Sequence, residues 1–382
     1  MKILFLHNYF HIKSGSGSVM FQEAELLRGN GHEVYFFCTD KAPYHYDNYE
    51  YIKYFPRHTN KFLRFHQLFY NREAVEKFSR LLDVVKPDIV HEHTITFHLT
   101  PAILNECYKR KIPVVRTIHS FETVVEKNRG ICLKSLFSKG ILAFYDLMKY
   151  YNGTQYLIFP SKALAERGLQ RNIPAEKIVT VYNFVKCSDY EAFQEGNGER
   201  GKYFLYLGRL AKEKGLYVLL DAWKQLPEEV ELHIAGTGQE ESNLKKSIRK
   251  NNLKNVKMVG FKEGDGLKRE YAGCIASILP AIWFEPFGLT ILESFCFKKP
   301  VIASNIGGIP EIIQHNQNGI LIEPGNAQEL KEAVLTLYNN PDITEKMGAK
   351  GKQTAEIIFT PQAHYEGLMK IYEKTEKNFI HK

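Results

Sequence analysis

Glu285 and Glu293 stand eight residues apart in the run Trp283-Phe284-Glu285-Pro286-Phe287-Gly288-Leu289-Thr290-Ile291-Leu292-Glu293. Carboxylates accept hydrogen bonds from sugar and ribose hydroxyls. Between this pair, Pro286 and Gly288 break the chain just where a helix could begin. From Gly288 to Lys298 no residue opposes a helix, so Thr290 and Glu293, three apart, share one helical face. Glu293 lies among Leu292, Phe295, Cys296 and Phe297, where an unpaired charge would be costly, so it needs a partner. The backbone N–H groups near Phe287, Gly288 and Leu289 would form an anion site at the helix start. The segment therefore offers a phosphate cradle and two acceptors for hydroxyls. A plainer reading is a loop with Glu285 in solvent and Glu293 as a structural carboxylate.

Other residues point to the same chemistry. Arg209 and Lys214 follow the apolar run Tyr203–Leu207. A guanidinium and an ammonium at a strand's carboxyl end could hold a leaving diphosphate without a metal ion. The alternative is two solvated charges beside Lys212 and Glu213. No Asp-x-Asp occurs in the chain, in keeping with metal-free chemistry. His119 follows the apolar run Val114–Ile118 and could meet a sugar hydroxyl or be a structural imidazole. His91, Glu92 and His93 form a His-x-His pattern with no third ligand nearby, so they read as polar residues of a cleft and not as a metal site. Gly15-Ser16-Gly17-Ser18 reads as a Gly-rich loop able to approach a ligand with bare backbone. Asp40 would then invite a dinucleotide reading. Met20 at the third glycine position and the long stretch from His7 to Ser14 count against it.

Taken in order, these segments resemble the retaining glycosyltransferases of family 4, which have the GT-B fold and an E-x7-E signature. Leu207-Gly208-Arg209-Leu210 with Glu213-Lys214-Gly215 resembles the family's basic diphosphate-binding segment. Ile234-Ala235-Gly236-Thr237-Gly238 resembles its strand-end glycine turn, and Thr117-Ile118-His119-Ser120 its histidine motif. Tyr182-Asn183-Phe184-Val185-Lys186 resembles its hinge but lacks the glycine and the aspartate, so no role for that aspartate is carried over. The resemblance covers almost the whole chain and is strongest from Tyr203 to Asn326.

The elements that must position these residues are legible as two βαβ alternations. The first has strands at Lys2–Leu6, Glu33–Cys38, Asp88–His91, Val114–Ile118 and Tyr156–Phe159, with helices at Val19–Arg28, Ala74–Val85, Pro101–Lys109 and Ser161–Gly168. A polar, glycine-rich stretch at 196–201 reads as a linker. The second has strands at Tyr203–Leu207, Glu231–Ile234, Val256–Met258, Ala276–Leu279, Val301–Ala303 and Gly319–Ile322. Its helices are Gly215–Gln225, Gln239–Lys250, Leu267–Ala272, Gly288–Phe297 and Ala327–Tyr338. A last helix, Pro361–Lys374, carries Tyr365, Leu368 and Ile371 at helical spacing. The expected class is α/β: two Rossmann-like domains, residues 1–190 with 361–382 and residues 202–360. As the resemblance implies, they face across a cleft and the C-terminal helix crosses back to the first domain.

The chain has 382 residues, 44% of them hydrophobic, ample for two folded cores. A net charge of +8 suits an anionic ligand or an anionic membrane surface and lacks the density of a nucleic-acid footprint. Six cysteines with no close pair argue against a zinc site or a disulfide framework and fit a reducing cytoplasm. The N-terminal apolar run is too short for a signal peptide, and no stretch is long enough to span a bilayer. Basic and aromatic residues interleave from Phe55 to Arg72, which reads either as an interfacial helix or as core aromatics at Phe62, Phe65 and Phe69.

The resemblance implies a metal-independent, retaining hexosyltransferase without cofactor. It would move a sugar from a nucleoside diphosphate sugar to a hydroxyl of a saccharide or a lipid-linked saccharide, in cell-surface polysaccharide or glycoconjugate synthesis. UDP is favoured only as the commonest carrier; GDP is the alternative. Arg209 and Lys214 would hold the diphosphate with Phe287, Gly288, Leu289 and Thr290. Glu293 would bind the ribose, Glu285 the donor sugar, and His119 would line the reacting face. Gly15, Gly17 and Gly236 would bring bare backbone to the donor. The expected location is the cytoplasm, with the inner face of the membrane as the place of any lipid contact. The other readings are a GT-B-fold sugar-nucleotide epimerase and a non-catalytic protein that binds a sugar nucleotide or NAD.

Overall fold

The computed structural model describes residues 1–9, 15–39, 51–54, 69–95, 99–119, 140, 144, 147–148, 150–194 and 203–380. The chain forms two compact units. The first comprises Met1–Pro160, Ala165–Val181 and Tyr365–Lys382; the second comprises Ser161–Leu164 and Tyr182–His364. Residues 182–190, which the sequence reading assigns to the first domain, belong to the second. Tyr182, Val185 and Cys187 pack into its core with Phe287, Phe295 and Phe359. The glycine-rich stretch 196–201 lies outside the described residues.

In the first unit, β1 (Lys2–Tyr9), β2 (Glu33–Thr39), β3 (Tyr51–Tyr54), β4 (Ile89–Thr94), β5 (Val114–Thr117), β6 (Tyr156–Phe159) and β7 (Ile178–Thr180) form one sheet in the order β3-β2-β1-β4-β5-β6-β7. All pairings are parallel. Parallel strands are covered by helices on both faces, so they read as nearly continuous apolar runs such as Ile3-Leu4-Phe5-Leu6, fully buried here. The helix Gly15–Gly29 follows β1 and starts four residues before the expected Val19. Gly15-Ser16-Gly17-Ser18 is thus the first turn of a helix, not a loop, and Gly17 is buried. The last helix, Pro361–Ile380, begins in the second unit and from Tyr365 belongs to the first, where Leu368, Ile371 and Tyr372 are buried with Phe5 and Phe36. Most of the basic-aromatic segment, residues 55–68, lies outside the described residues. At its end Phe69 packs edge-on against Phe144 at 5.0 Å, and exposed Arg72 pairs with Glu76.

In the second unit, β8 (Tyr203–Leu207), β9 (Glu231–Ala235), β10 (Val256–Gly260), β11 (Cys274–Leu279), β12 (Val301–Ser304) and β13 (Gly319–Ile322) form a parallel sheet in the order β10-β9-β8-β11-β12-β13. In each sheet the order reverses next to the first strand, between β1 and β4 and between β8 and β11. Loops leaving the carboxyl ends of such a pair run in opposite directions and open a crevice. One long helix, Pro341–Ile358, is unassigned in the sequence reading. Its Gly348 and Gly351 look like breakers but serve as contact points. A Cβ at Gly348 would sit 1.9 Å from the Lys298 carbonyl oxygen, and one at Gly351 would sit 2.5 Å from the Phe295 ring. Three apart, they share a face that lies tightly on the helix Leu289–Cys296.

The cysteine reading is corrected. Cys187 and Cys296 form a disulfide with a Cα–Cα distance of 5.0 Å across a sequence separation of 109 residues. Spacing along the chain could not reveal a pair that only folding brings together, and the bond removes the support that the cysteines lent to a reducing compartment. Cross-linking so long a loop is worth about 5 kcal/mol in the chain-entropy model. Urea unfolding with and without reductant, and of Cys187→Ala, checks this: the oxidised wild type unfolds at the higher midpoint. Superimposed curves would show that the bond does not form in solution.

Candidate functional site

Loops from β8, β9 and β11 gather the basic and acidic residues of the second unit. The approach is close enough to exclude side chains. A Cβ at Gly236 (φ +136°) would lie 1.9 Å from the Gly208 carbonyl oxygen. The β8 and β9 loops are then tied by Leu210 N–H donating to Thr237 C=O at 2.9 Å and Glu240 N–H to Leu210 C=O at 3.0 Å. Lys212–Lys214 forms a single 3₁₀ turn ended by Gly215 at φ +73°. A Cβ at Gly215 would sit 1.7 Å from the Pro280 carbonyl oxygen. That contact, with Ile282 N–H donating to Glu213 C=O at 3.0 Å, lays the turn against the exit of β11.

The result is a charge pair at the point where the strand order reverses. Lys214 Nζ lies 2.6 Å from Glu285 Oε2 and 5.3 Å from the Trp283 ring centroid. The two side chains are 17% and 13% exposed, sheltered enough for the pair to hold and open enough for an incoming anion to compete. The sequence reading gives these two residues to different parts of a ligand; the fold joins them. Arg209 is exposed and turned onto Glu213, one helical turn along. Such an exposed pair is worth little and costs little to open.

The helix Leu289–Cys296 starts at Gly288 (φ +110°), with no side chain capping its N-terminus. Ile291, Leu292, Phe295 and Cys296 bury its apolar side. Thr290 and Glu293 do share a face: the Tyr271 hydroxyl donates to Glu293 Oε2 at 2.7 Å and lies 3.4 Å from the Thr290 carbonyl oxygen. The partner that Glu293 needs is a neutral phenol and not a cation. Burial pushes the Glu293 carboxyl above its ordinary value, with the Tyr271 hydrogen bond opposing. The Phe287 side chain is core, beside Tyr182 and Phe359.

Sequence reasoning missed a clamp around Glu285-Pro286. Gly308 N–H donates to the Glu285 carbonyl at 2.9 Å, and Ser161 Oγ donates to the Pro286 carbonyl at 2.6 Å. A Cβ at Gly307 (φ +64°) would stand 2.2 Å from the Glu285 oxygen. Glu311 accepts from the N–H groups of Lys162 and Ala163 at 2.8 and 2.7 Å. The signal was Gly307-Gly308-Ile309-Pro310-Glu311, which begins three residues past the end of β12.

In the first unit, the carboxyl ends of β1, β4 and β5 gather His7, His91, His93 and His119. His91 and His93 are buried, not lining a cleft. His91 Nε2 is 2.7 Å from Thr117 Oγ1 and Nδ1 is 2.7 Å from the Tyr372 hydroxyl. His93 lies between Glu23 and His119, 3.3 Å from the carboxylate through Nε2 and 3.1 Å from His119 Nε2 through Nδ1. Low-polarity surroundings, then His7 and Arg116, push the His119 pKa down to about 3. His7 Nε2 is 3.1 Å from Ser16 Oγ, in the same helical turn as Gly15 and Gly17. Glu92 points elsewhere, into a buried ion pair with Arg116, whose guanidinium lies 4.0 Å from the Tyr151 ring centroid. The potential ligand atoms of Glu23, His91 and His93 all lie within 4.8 Å of one another. Both nitrogens of His91 are already engaged, so the arrangement reads as hydrogen-bonded polar core.

Both units have counterparts among known proteins. The Rickettsia africae glycosyltransferase is 20% identical, with a TM-score of 0.76 over 99% of both chains. Anabaena HepE, solved with UDP and glucose, is also 20% identical, with a TM-score of 0.75 over 98% of this chain and 99% of that one. At that identity the likeness establishes the fold, which is GT-B. Residues 13–189 match the model "Glycosyltransferase Family 4" and residues 188–354 match "Glycosyl transferases group 1". A glycosyltransferase of Methanocaldococcus jannaschii, itself uncharacterised, is 31% identical over 275 residues, 68% of each chain. The N-acetyl-α-D-glucosaminyl L-malate synthase of Bacillus anthracis is 24% identical over 95% of this chain and 96% of that one. The chain belongs to the glycosyltransferase family that these two models describe.

Gly215 carries the geometry of the Lys214–Glu285 pair. Gly215→Ala forces the 3₁₀ turn off Pro280 and holds an L residue at positive φ, at a cost of about 1–3 kcal/mol. A lower urea midpoint checks this; an unchanged midpoint would mean that the contact is not needed.

Proposed function

We propose that this glycosyltransferase moves a hexose from a nucleoside diphosphate sugar, UDP favoured, to a hydroxyl of a saccharide, with retention at the anomeric carbon and without a metal ion. The observation that carries the reading is Lys214, held by Gly215 at the β8–β11 reversal and paired with Glu285 beside the uncapped start of Leu289–Cys296. As the bond from the anomeric carbon to the diphosphate breaks, its electron pair goes to the leaving oxygen. Lys214, a reoriented Arg209 and the N–H groups at Gly288–Thr290 meet that charge in place of a metal. The acceptor oxygen bonds to the anomeric carbon and gives up its proton to the departing diphosphate oxygen. Entry of the diphosphate draws Lys214 from Glu285 and frees that carboxylate for donor-sugar hydroxyls. Glu293, backed by Tyr271, takes the ribose hydroxyls. The family resemblance supports a role for His119 toward the donor sugar and for Gly15, Gly17 and Gly236 as points of close backbone approach.

The relatives support a polysaccharide acceptor. They include a glycosyltransferase of amylovoran biosynthesis in Erwinia amylovora and one of capsular polysaccharide biosynthesis in Staphylococcus aureus. The UDP bound to HepE supports the choice of carrier. Among the described residues no helix is long and apolar enough to cross a membrane, so a lipid-linked acceptor would be met at the membrane surface.

Mass spectrometry of products, with NMR of the anomeric proton, tests the reaction: the expected product is a new glycoside of the donor's own anomeric configuration. Arg209→Ala and Lys214→Ala each lower turnover about two to three orders of magnitude, and EDTA leaves the wild type unaffected. Near-normal turnover in a variant removes that residue from the site. Loss with EDTA restored by magnesium or manganese contradicts the metal-free assignment.

The division between the two carboxylates is read by calorimetric titration with the free nucleoside diphosphate. Glu293→Gln weakens binding roughly tenfold to a hundredfold, the worth of a charge-assisted hydrogen bond. Glu285→Gln leaves affinity equal or higher, because Lys214 no longer has to leave a carboxylate. Equal losses in both variants would overturn that division.

A further inference from the structure

We infer that Tyr271 is a positioning residue for the ribose of the donor. Its hydroxyl pins one oxygen of Glu293, so that the rest of the carboxylate is presented to the vicinal 2′- and 3′-hydroxyls, and this sets a preference for a ribonucleotide over its 2′-deoxy counterpart. The inference rests on the reading, given above, that Glu293 takes the ribose hydroxyls.

All the groups concerned belong to the second unit. Tyr271 lies near the end of the helix Gly264–Gly273 and is fully buried. Its ring stacks on Phe297 with centroids 5.4 Å apart and planes 13° from parallel, in a core it shares with Leu205, Ala235 and Cys274. Its backbone is held as well: Cys274 Sγ donates to the Tyr271 carbonyl at 3.2 Å. Two residues on, a Cβ at Gly273 would sit 2.7 Å from the Tyr203 hydroxyl, so the helix end lies tightly on β8. A ring fixed in this way carries its hydroxyl to one place. That place is Glu293 Oε2, at 2.7 Å. A phenol has one hydrogen to donate, whereas a carboxylate has about four acceptor positions. Glu293 is only half-buried, and its Oε1 meets no donor among the described residues. Room for both hydroxyls of a vicinal diol therefore remains on a carboxylate that no longer turns freely. A glutamate held before the ligand arrives loses less side-chain freedom on binding than a loose one.

A neutral partner suits this task. A cation would hold the carboxylate as firmly but would compete with hydroxyl donors for it. The phenol leaves the charge in place, and a charged acceptor aimed at a missing hydroxyl penalises the deoxy sugar. Two titratable groups face Glu293: Tyr271 from its own helix and Tyr190 from the helix Ser188–Gln194. Burial first, and then the Glu293 charge, push both phenols up, so both stay neutral and Tyr271 stays a donor. Burial raises the Glu293 carboxyl and the Tyr271 hydrogen bond opposes it. Loss of that bond raises the carboxyl further, so nucleotide affinity, which needs the carboxylate, fails at a higher pH on acidification.

The test compares the full-length wild type with Tyr271→Phe, which keeps the ring and removes only the hydroxyl. Each is titrated calorimetrically with UDP or GDP, whichever the wild type binds, and with its 2′-deoxy counterpart. Carbon-13 NMR follows the Glu293 carboxyl through pH, assigned by its loss in Glu293→Gln. The variant is expected to bind the ribonucleotide about tenfold more weakly at pH 7, the worth of a hydrogen bond to a charged group. Its preference over the deoxy form narrows, and its Glu293 carboxyl titrates at a higher pH than in the wild type. A tyrosine with a merely structural role would weaken both nucleotides alike and leave the carboxyl titration where it was. That result overturns the inference, and so does a variant that matches the wild type. Lost affinity in Glu293→Gln without any change in Tyr271→Phe overturns this inference alone; unaltered affinity in Glu293→Gln overturns the ribose reading and this inference with it. A crystal structure of the wild type with the nucleotide decides the matter even if Tyr271→Phe does not fold. The Tyr271 hydroxyl is expected still to donate to Glu293 beside the bound ribose, and a ribose held by Glu293 with that bond broken overturns the inference.

Discussion

The pairing of β8 with β11 is the constraint from which the second unit's site follows. The strands are neighbours in the sheet but about seventy residues apart in sequence, with β9 and β10 laid down on the other side of β8. Because the order reverses there, the loop carrying Arg209 and Lys214 and the loop carrying Glu285 leave adjacent strand ends. Neither loop could hold its charges alone. Each is stiffened by close backbone contact, the first through Gly215 on Pro280 and the second through Gly307 and Gly308 on Glu285-Pro286. The glycines matter here because a side chain would push apart the segments that must meet. They also carry most of the positive backbone angles at the site, which other residues adopt only with strain.

Three buried polar groups show how burial is compensated inside the two units. Glu92 meets Arg116, Glu293 meets Tyr271, and His91 is held between Thr117 and Tyr372. The answers differ in kind. Burial pushes both carboxyls above their ordinary value, but a cation holds Glu92 in place as part of the core, whereas a phenol leaves Glu293 with acceptor capacity. That contrast separates a structural carboxylate from one suited to receive hydroxyl donors.

The helix Leu289–Cys296 is the element through which packing reaches the site. Eight residues are too few to be stable alone. Gly348 and Gly351 let the helix Pro341–Ile358 lie against it, Phe295 fills the contact, and the disulfide ties its last residue to the segment entering at Tyr182. Glu293 thus stands on a short helix fixed from two sides, and its N-terminus is the end left without a side-chain cap.

The sequence by itself determined the local elements and the family. Apolar runs of four to six residues, glycine punctuation and the order of the motifs depend only on neighbours along the chain, and the strands Tyr156–Phe159, Tyr203–Leu207 and Gly319–Ile322 lie where periodicity places them. The same local logic put Thr290 and Glu293 on one face, named Arg209 and Lys214 as charges at a strand end, and singled out Glu285 before the helix break. Only the tertiary structure decided who meets whom: Lys214 with Glu285, Tyr271 with Glu293, Glu23 with His93, and Cys187 with Cys296. These partners lie 22 to 109 residues apart along the chain, so no spacing rule links them. It also reversed the meaning of Gly348 and Gly351, because a glycine reads as a helix breaker until the neighbour that its missing side chain admits is known.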